Sequence, residues 1–530
     1  MNNSEIVQKL WKLCDVLRDD GINYSDYVTE LVLLLFIKME YESKEQGLIA
    51  EHRLPIGARW SDLHKLSGLD LLNTYRQILL DLSKSDDKLI SAIYVNAQTN
   101  ITEPKHLEQM VTALDKLDWM AIKGDGLGDL YEGLLEKNSS ETKSGAGQYF
   151  TPRPLINSMV RVMKPQAGEV IQDPAAGTAG FLIAADTYIK KQTDDLFDLD
   201  SKQQKFQRDR AFIGIELVPG TRRLALMNCL LHGIQGDSAD GTGEGVIHLG
   251  NALGEAGASL APADVILANP PFGTSKGGDA SITRDDLTYK TGNKQLAFLQ
   301  HMYRNLKAGG RAAIVLPDNV LFEAGIGTDI RRDLMNKCNL HTILRLPTGI
   351  FYAKGVKTNV LFFTKGTVEK PKQDENCTQE VWVYDLRTNM PSFGKRTPFN
   401  KAHLTPFEAV YGERADGSSP RKEGDWTFTK TESEEHQELN EENSRWRKFS
   451  REWITENKGD SLDISWLKDD DSVDIENLAP PEELASLAMT ELTDALAELD
   501  GLLTALGESD VALAQKQLLG ESLGLEVIIK

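Results

Sequence analysis

Glu169-Val170-Ile171-Gln172-Asp173-Pro174-Ala175-Ala176-Gly177-Thr178-Ala179-Gly180, followed by helical spacing from Phe181 to Lys190, is the stretch that decides the fold. A short segment with Val170 and Ile171 ends in Asp-Pro, a turn with two glycines follows, and a helix begins. The unit repeats downstream. Ala211 to Leu217 reads as a second strand ending near Glu216, followed by a helix from Pro219 to about His232. Val246 to Leu249 and Ala263 to Ala268 read as further strands, and Ala312 to Leu316 as a fifth between helices Asn293–Leu306 and Asp329–Asn336. His341 to Leu346, Asn359 to Thr364 and Val381 to Leu386 then follow without helical pattern between them, which predicts an antiparallel edge. Strands alternating with helices mean an α/β fold, a Rossmann-like, mostly parallel sheet with right-handed crossovers.

On either side of this sheet the pattern is helical. Ile6 to Leu17 places apolar groups at three- and four-residue steps, and Tyr24 to Met39 continues them, with Leu31 to Ile37 reading as a buried helix. A passage with Gly and Ser, Asn138 to Gly147, leads to Gln148-Tyr149-Phe150-Thr151-Pro152. After about residue 400 the sheet signals stop. Thr431 to Asn443 reads as a solvated acidic linker. From Pro480-Pro481, the residues Leu484, Ala488, Leu492, Ala495, Leu499, Leu502 and Leu506 recur at helical spacing. That single apolar stripe suits packing on its own domain or docking onto a partner helix. The predicted division is a helical domain over 1–147, a sheet domain over 148–400, an acidic linker and extension over 401–479, and a helical tail over 480–530 serving subunit docking.

With 530 residues the chain calls for two to four domains. Its 40% hydrophobic and 26% charged residues are those of a soluble globular protein. No apolar run reaches the ~20 residues of a membrane span, and Met1 to Leu10 lack the features of a signal peptide. The four cysteines, Cys14, Cys229, Cys338 and Cys377, form no CxxC pair, which points to a reducing cytoplasm. The histidines do not gather with cysteines or carboxylates at ligand spacing, so no metal site is expected. A net charge of −21 is unfavourable for contact with nucleic acid. Residues 401–530, however, hold 13 basic and 30 acidic side chains, while 301–400 hold 15 basic against 9 acidic. The acid sits in the tail, and the +6 segment is either a mixed surface or one able to approach phosphates. Tight binding of nucleic acid by this chain alone is not expected; a partner is implied.

Two constellations carry chemistry. Asp173 to Gly180 lies at the carboxyl end of a strand just before a helix, where α/β sheets bind nucleotides. Gly177 and Gly180 let backbone approach a ligand, and N–H groups at the helix start can meet a carboxylate. No GxxxxGK[ST] phosphate loop occurs anywhere. Glu216, ending the next strand, is placed to take the two ribose hydroxyls of an adenosine. The second constellation is Asn269-Pro270-Pro271-Phe272, again directly after a strand. An aromatic amine such as adenine N6 is a poor nucleophile because its lone pair is delocalised. Hydrogen bonds from its N–H groups to the Asn269 side-chain oxygen and the Pro270 carbonyl would draw the nitrogen toward tetrahedral geometry and free that pair. Pro271 stiffens the turn, and Phe272 would stack on a base taken out of the duplex.

On these motifs, together with Gln148-Tyr149-Phe150-Thr151-Pro152-Arg153 and the segment Trp446 to Leu467, the chain closely resembles the modification (methyltransferase) subunit of type I restriction–modification systems, nearest the type IA branch. The resemblance implies an S-adenosylmethionine-dependent methyltransferase sheet acting on adenine N6 in double-stranded DNA. It places the cofactor on Gln148 to Arg153, on Thr178, Ala179 and Gly180, and on Glu216. It also implies two such subunits around one specificity subunit that reads the target, two restriction subunits in the full complex, and a preference for hemimethylated sites. No large recognition domain is visible after Phe272, which agrees with recognition being delegated.

Other chemistries fit less well. Cytosine-C5 methylation needs a cysteine after proline, and the four cysteines follow Leu, Asn or Lys. Methylation of protein glutamine uses a similar loop, usually with Tyr where this chain has Phe272. A DNA translocase would need the missing phosphate loop. A catalytically silent scaffold would have no use for Asn269 and Glu216.

Overall fold

The computed structural model describes residues 3–19, 21–22, 27–47, 49–117, 119, 126–141, 151–236, 243–272, 282–351, 356–394, 397–423 and 444–468. The chain divides into two compact units, Met1–Leu467 and Lys468–Lys530. The predicted acidic linker and the predicted tail helix lie outside the described residues.

Among the described residues seven helices come first: α1 (Asn3–Asp19), α2 (Tyr27–Glu45), α3 (Trp60–Leu63), α4 (Gly68–Leu82), α5 (Lys88–Tyr94), α6 (Pro104–Asp115) and α7 (Gly126–Glu141). The expected helical region is therefore present, and its centre is α2, whose Leu31 to Ile37 are buried on every side. Lys38 follows them into the interior. Its ammonium is compensated there by Glu42 at 2.8 Å and Asp115 at 2.9 Å, with the Trp60 ring 5.0 Å away.

Then come α8 (Arg153–Met163), β1 (Ile171–Asp173), α9 (Gly180–Gln192), α10 (Ser201–Asp209), β2 (Phe212–Glu216), α11 (Pro219–Leu231), β3 (Ile247–Leu249), α12 (Glu255–Ala258) and β4 (Ala263–Ala268). They are followed by α13 (Lys294–Asn305), β5 (Leu306–Pro317), α14 (Asp318–Phe322), α15 (Ile326–Lys337), β6 (Cys338–Arg345), β7 (Thr358–Lys365) and β8 (Glu380–Asp385). The last three are α16 (Lys401–Tyr411), β9 (Trp446–Ser450) and α17 (Arg451–Lys458).

One sheet runs in the order β3-β2-β1-β4-β5-β7-β6-β8-β9. Strands β1 to β5 pair in parallel, and β7 lies antiparallel between β5 and β6. The order reverses between β1 and β4, which opens a crevice at their carboxyl ends. Alternate residues feed two cores. Val265, Leu267, Ala313, Val315, Val360 and Phe362 face α8, α9, α16 and the helical layer. Ile266, Ala268, Ala312, Ile314, Leu361 and Phe363 face α13 and α15. A sheet covered on both sides explains why its strands read as continuous apolar runs.

Two features depart from the sequence reading. The late strands are not all antiparallel, since β6 and β8 pair in parallel. Nor does the sheet stop near 400, because β9 adds to it antiparallel to β8. Strand β9 escapes notice because its buried residues, Trp446 and Phe449, are three apart rather than alternating. The Arg447 guanidinium lies 5.4 Å from the Phe449 ring centroid, and Trp446 stacks on Trp382 at 5.0 Å. Among the described residues, no helix is long and apolar enough to cross a membrane. Nor, among them, does any cluster of His, Cys, Asp or Glu offer a metal site.

Candidate active site

Both predicted loops open onto the crevice. Ile171 and Gln172 of β1 pair with Val265 and Ile266 of β4, so the turn after Asp173 lies beside the turn after Ala268. On the other flank Asp173 pairs with Gly214, two residues before Glu216.

The first turn is tightly built. Asp173 accepts from Ala175 N–H at 3.0 Å, and Ala176 N–H donates to the Ile215 carbonyl at 2.9 Å. That crossing needs Gly214, because a Cβ there would stand 2.9 Å from the Ala176 methyl and 2.7 Å from Ile247. Gly177 takes φ 54° and Ala179, the N-cap of α9, φ 68°. For alanine this left-handed conformation costs about 1–2 kcal/mol, strain of the kind found at ligand sites. A Cβ at Gly177 would meet nothing within 4 Å, so the turn leaves room above it.

Glu216 accepts from Gly177 N–H at 3.0 Å and from Val218 N–H at 2.8 Å. Burial raises its pKa above the usual carboxylate range. Asp173 is pushed further, to about 8, by burial first and by the Glu216 charge in addition, against the pull of Ala175 N–H. Exposed Leu217 and Leu249 follow and face Glu216 along the strand ends, an apolar edge that the sequence reading did not single out.

The second turn is anchored from two directions. Asn269 is buried, and its side-chain nitrogen donates to the Thr151 hydroxyl at 2.8 Å. The Pro271 carbonyl accepts from Gln295 at 2.8 Å, near the start of α13, whose N-cap is Asn293. Pro270 is buried while Pro271 is exposed. Phe272 is half-buried and meets Phe351 edge to face, 5.8 Å between centroids. Phe351 was not singled out in sequence, since nothing local joins it to Phe272.

Of the preceding passage, Gln148, Tyr149 and Phe150 lie outside the described residues. Pro152 is the N-cap of α8, and Arg153 its first residue. Arg153 reaches the Gly180 carbonyl at 3.3 Å and Glu132 at 2.6 Å.

Residues 122–455 match the model of the N-6 DNA Methylase family. Residues 6–114 match the HsdM N-terminal domain, and 478–521 the type I restriction enzyme methylase subunit, C-terminal domain. The chain belongs to the type I restriction enzyme methylase subunits. It is 59% identical to the EcoKI methylase subunit of Escherichia coli K12 over 99% of each chain. Identity to the StySPI methylase subunit of Salmonella potsdam is also 59%, again over 99% of each. The crystal structure of the EcoKI M protein superposes with a TM-score of 0.57 at 55% identity, over 98% of this chain and 99% of that one. This methylase subunit is thus an adenine-specific DNA methyltransferase of a restriction–modification system.

Proposed function

We propose that the methylase subunit uses S-adenosylmethionine, held at the carboxyl end of β1, and polarises a flipped adenine at the carboxyl end of β4. Asn269 carries the reading. With its nitrogen given to Thr151 at 2.8 Å, the amide turns its oxygen to the acceptor role that an N6 amine needs. Asn269 and the Pro270 carbonyl accept the two N6 hydrogens and localise the lone pair on nitrogen. Phe272, braced by Phe351, supplies the stacking face. Gln295 keeps the turn in place through the Pro271 carbonyl.

The residues of the first turn fit the cofactor. The space above Gly177 accepts backbone-close ligand atoms. Each Glu216 oxygen keeps lone-pair capacity for a ribose hydroxyl. Two carboxyls whose ionisation burial disfavours, Asp173 and Glu216, are suited to a ligand that brings positive charge. Bound there, S-adenosylmethionine supplies an electrophilic methyl group on a sulfonium. Thr178, Ala179 and Gly180 form the backbone wall, and Thr151 to Arg153 the adjoining side; Gln148, Tyr149 and Phe150 are assigned to the cofactor by the family resemblance alone.

All these residues lie in 148–400, which we take as the catalytic domain, with 1–147 as a helical domain, 401–479 as an extension and 480–530 as a docking tail. Two methylase subunits serve one specificity subunit, which reads the duplex, and restriction subunits complete a cytoplasmic complex. The test is Asn269→Ala assayed with the specificity subunit present. Losing one aligned polar group of this type lowers methyl transfer by roughly 10²–10³. Transfer near the wild-type rate would refute the assignment.

A further inference from the structure

Glu132 lies on α7, which packs against α1 and α2 of the helical layer and against α11 beside the sheet. One of its carboxylate oxygens takes two donors, Arg153 Nη2 at 2.6 Å and Asn228 Nδ2 at 3.3 Å. Each donor has a second acceptor in the cofactor turn. Arg153 Nη1 reaches the Gly180 carbonyl at 3.3 Å, and Asn228 Nδ2 reaches the Thr178 carbonyl at 2.9 Å. These carbonyls flank Ala179, the residue held in the left-handed conformation at φ 68°. A strained backbone persists only where its surroundings over-determine it, and here the two side chains that hold the flanking carbonyls meet at one carboxylate.

Helix α7 is itself pinned to α11 around Glu132. Tyr131 donates to the Leu224 carbonyl at 3.3 Å, and Gly128 sits so close to His232 that a Cβ would come within 2.6 Å of the ring. The Glu132 and Arg153 side chains keep only 14% and 20% of their exposure, so their charges are poorly screened and depend on each other. Asn228 is buried, and its side-chain oxygen has no hydrogen bond among the described residues, unlike a purely structural polar cluster in which each group is satisfied.

We propose that Glu132 is a positioning residue for the cofactor turn, through which the N-terminal helical layer sets affinity for S-adenosylmethionine. Removing its charge releases Arg153 and weakens the hold on Asn228, and the two bonds that flank Ala179 lose their common anchor. The inference rests on reading residues 173–180 as the cofactor turn.

The experiment measures S-adenosylmethionine binding by titration calorimetry, and KM and kcat for DNA methylation, in the complex with the specificity subunit. Glu132→Gln and Asn228→Leu should each weaken binding about tenfold, with KM rising more than kcat falls. Because both act through the same turn, the double variant should bind about as weakly as Glu132→Gln alone. Fully additive losses, or unchanged affinity in either single variant, overturn the proposal. Asn228→Leu replaces a buried amide by a side chain of similar size, so it decides the matter if Glu132→Gln fails to fold. Glu216→Ala serves as the reference. If it weakens binding while Glu132→Gln and Asn228→Leu do not, only the positioning role is lost. If Glu216→Ala also leaves binding unchanged, the cofactor turn itself is misassigned and the proposal falls with it.

Discussion

Glu216 and Gly177 share a hydrogen bond across two strands, so the acid proposed for the ribose and the glycine proposed for the methionyl end are one unit. Glu216→Ala removes a carboxylate expected to accept two ribose hydroxyls, each bond worth ~1–3 kcal/mol when its partner is stranded. Gly177→Asp puts a charged side chain into the open space above the turn, at a φ of 54° that L residues rarely adopt. Equilibrium binding of S-adenosylmethionine should weaken at least tenfold in both variants, a loss of about 1.4 kcal/mol or more. Unchanged affinity in both would show that the ligand sits elsewhere. Thr151 acts differently, since its hydroxyl meets Asn269 and so belongs to the side of the crevice proposed for the base as well as to the passage proposed for the cofactor.

At the scale of elements, β1 brings an acid into the interior at its last position. Asp173 titrates in the folded chain near pH 8, against about 3.9 for an unperturbed aspartate. A pKa raised by folding means that the protonated form is the favoured one inside. The associated stability is complete below about pH 4 and is lost as pH rises through about 8. Asp173→Asn has no such dependence. Urea unfolding of the ligand-free chain should therefore show the wild type losing stability relative to Asp173→Asn between about pH 5 and about pH 8.5. A constant difference over that interval would mean that Asp173 stays ionised when buried. The strand tolerates this cost because Asp173 also caps the turn through Ala175 N–H, which fixes the entry into α9.

At the scale of the molecule, charge is unevenly distributed along the chain. The proposed site lies within residues 148–400, while 401–530 hold 30 acidic residues and the apolar repeat from Leu484 to Leu506. The sequence shows neither zinc-finger spacing nor a helix-turn-helix signature. The isolated chain should show negligible methylation of duplex DNA and gain it when a specificity subunit is added; sequence-specific methylation by the chain alone would refute that dependence. Deleting 480–530 should lower co-purification with the specificity subunit while leaving S-adenosylmethionine binding intact. Normal assembly of the truncated chain would move the docking surface elsewhere, the N-terminal helical layer first.

Local rules were enough for much of this protein. Apolar runs and the helical spacing between the earlier ones announced β1 to β8, and the residues after β1, β2 and β4 announced the crevice, because a strand's carboxyl end and the turn after it are contiguous in sequence. Composition placed the acid in the tail. Strand β9 needed the tertiary structure, since an edge strand packed through Trp446 and Phe449 carries no alternation. So did Phe351 beside Phe272, Thr151 holding Asn269, and Glu132 behind the turn proposed for the cofactor. Each of those pairs joins side chains far apart in the chain, and only the folded backbone brings a donor to its acceptor or one ring against another.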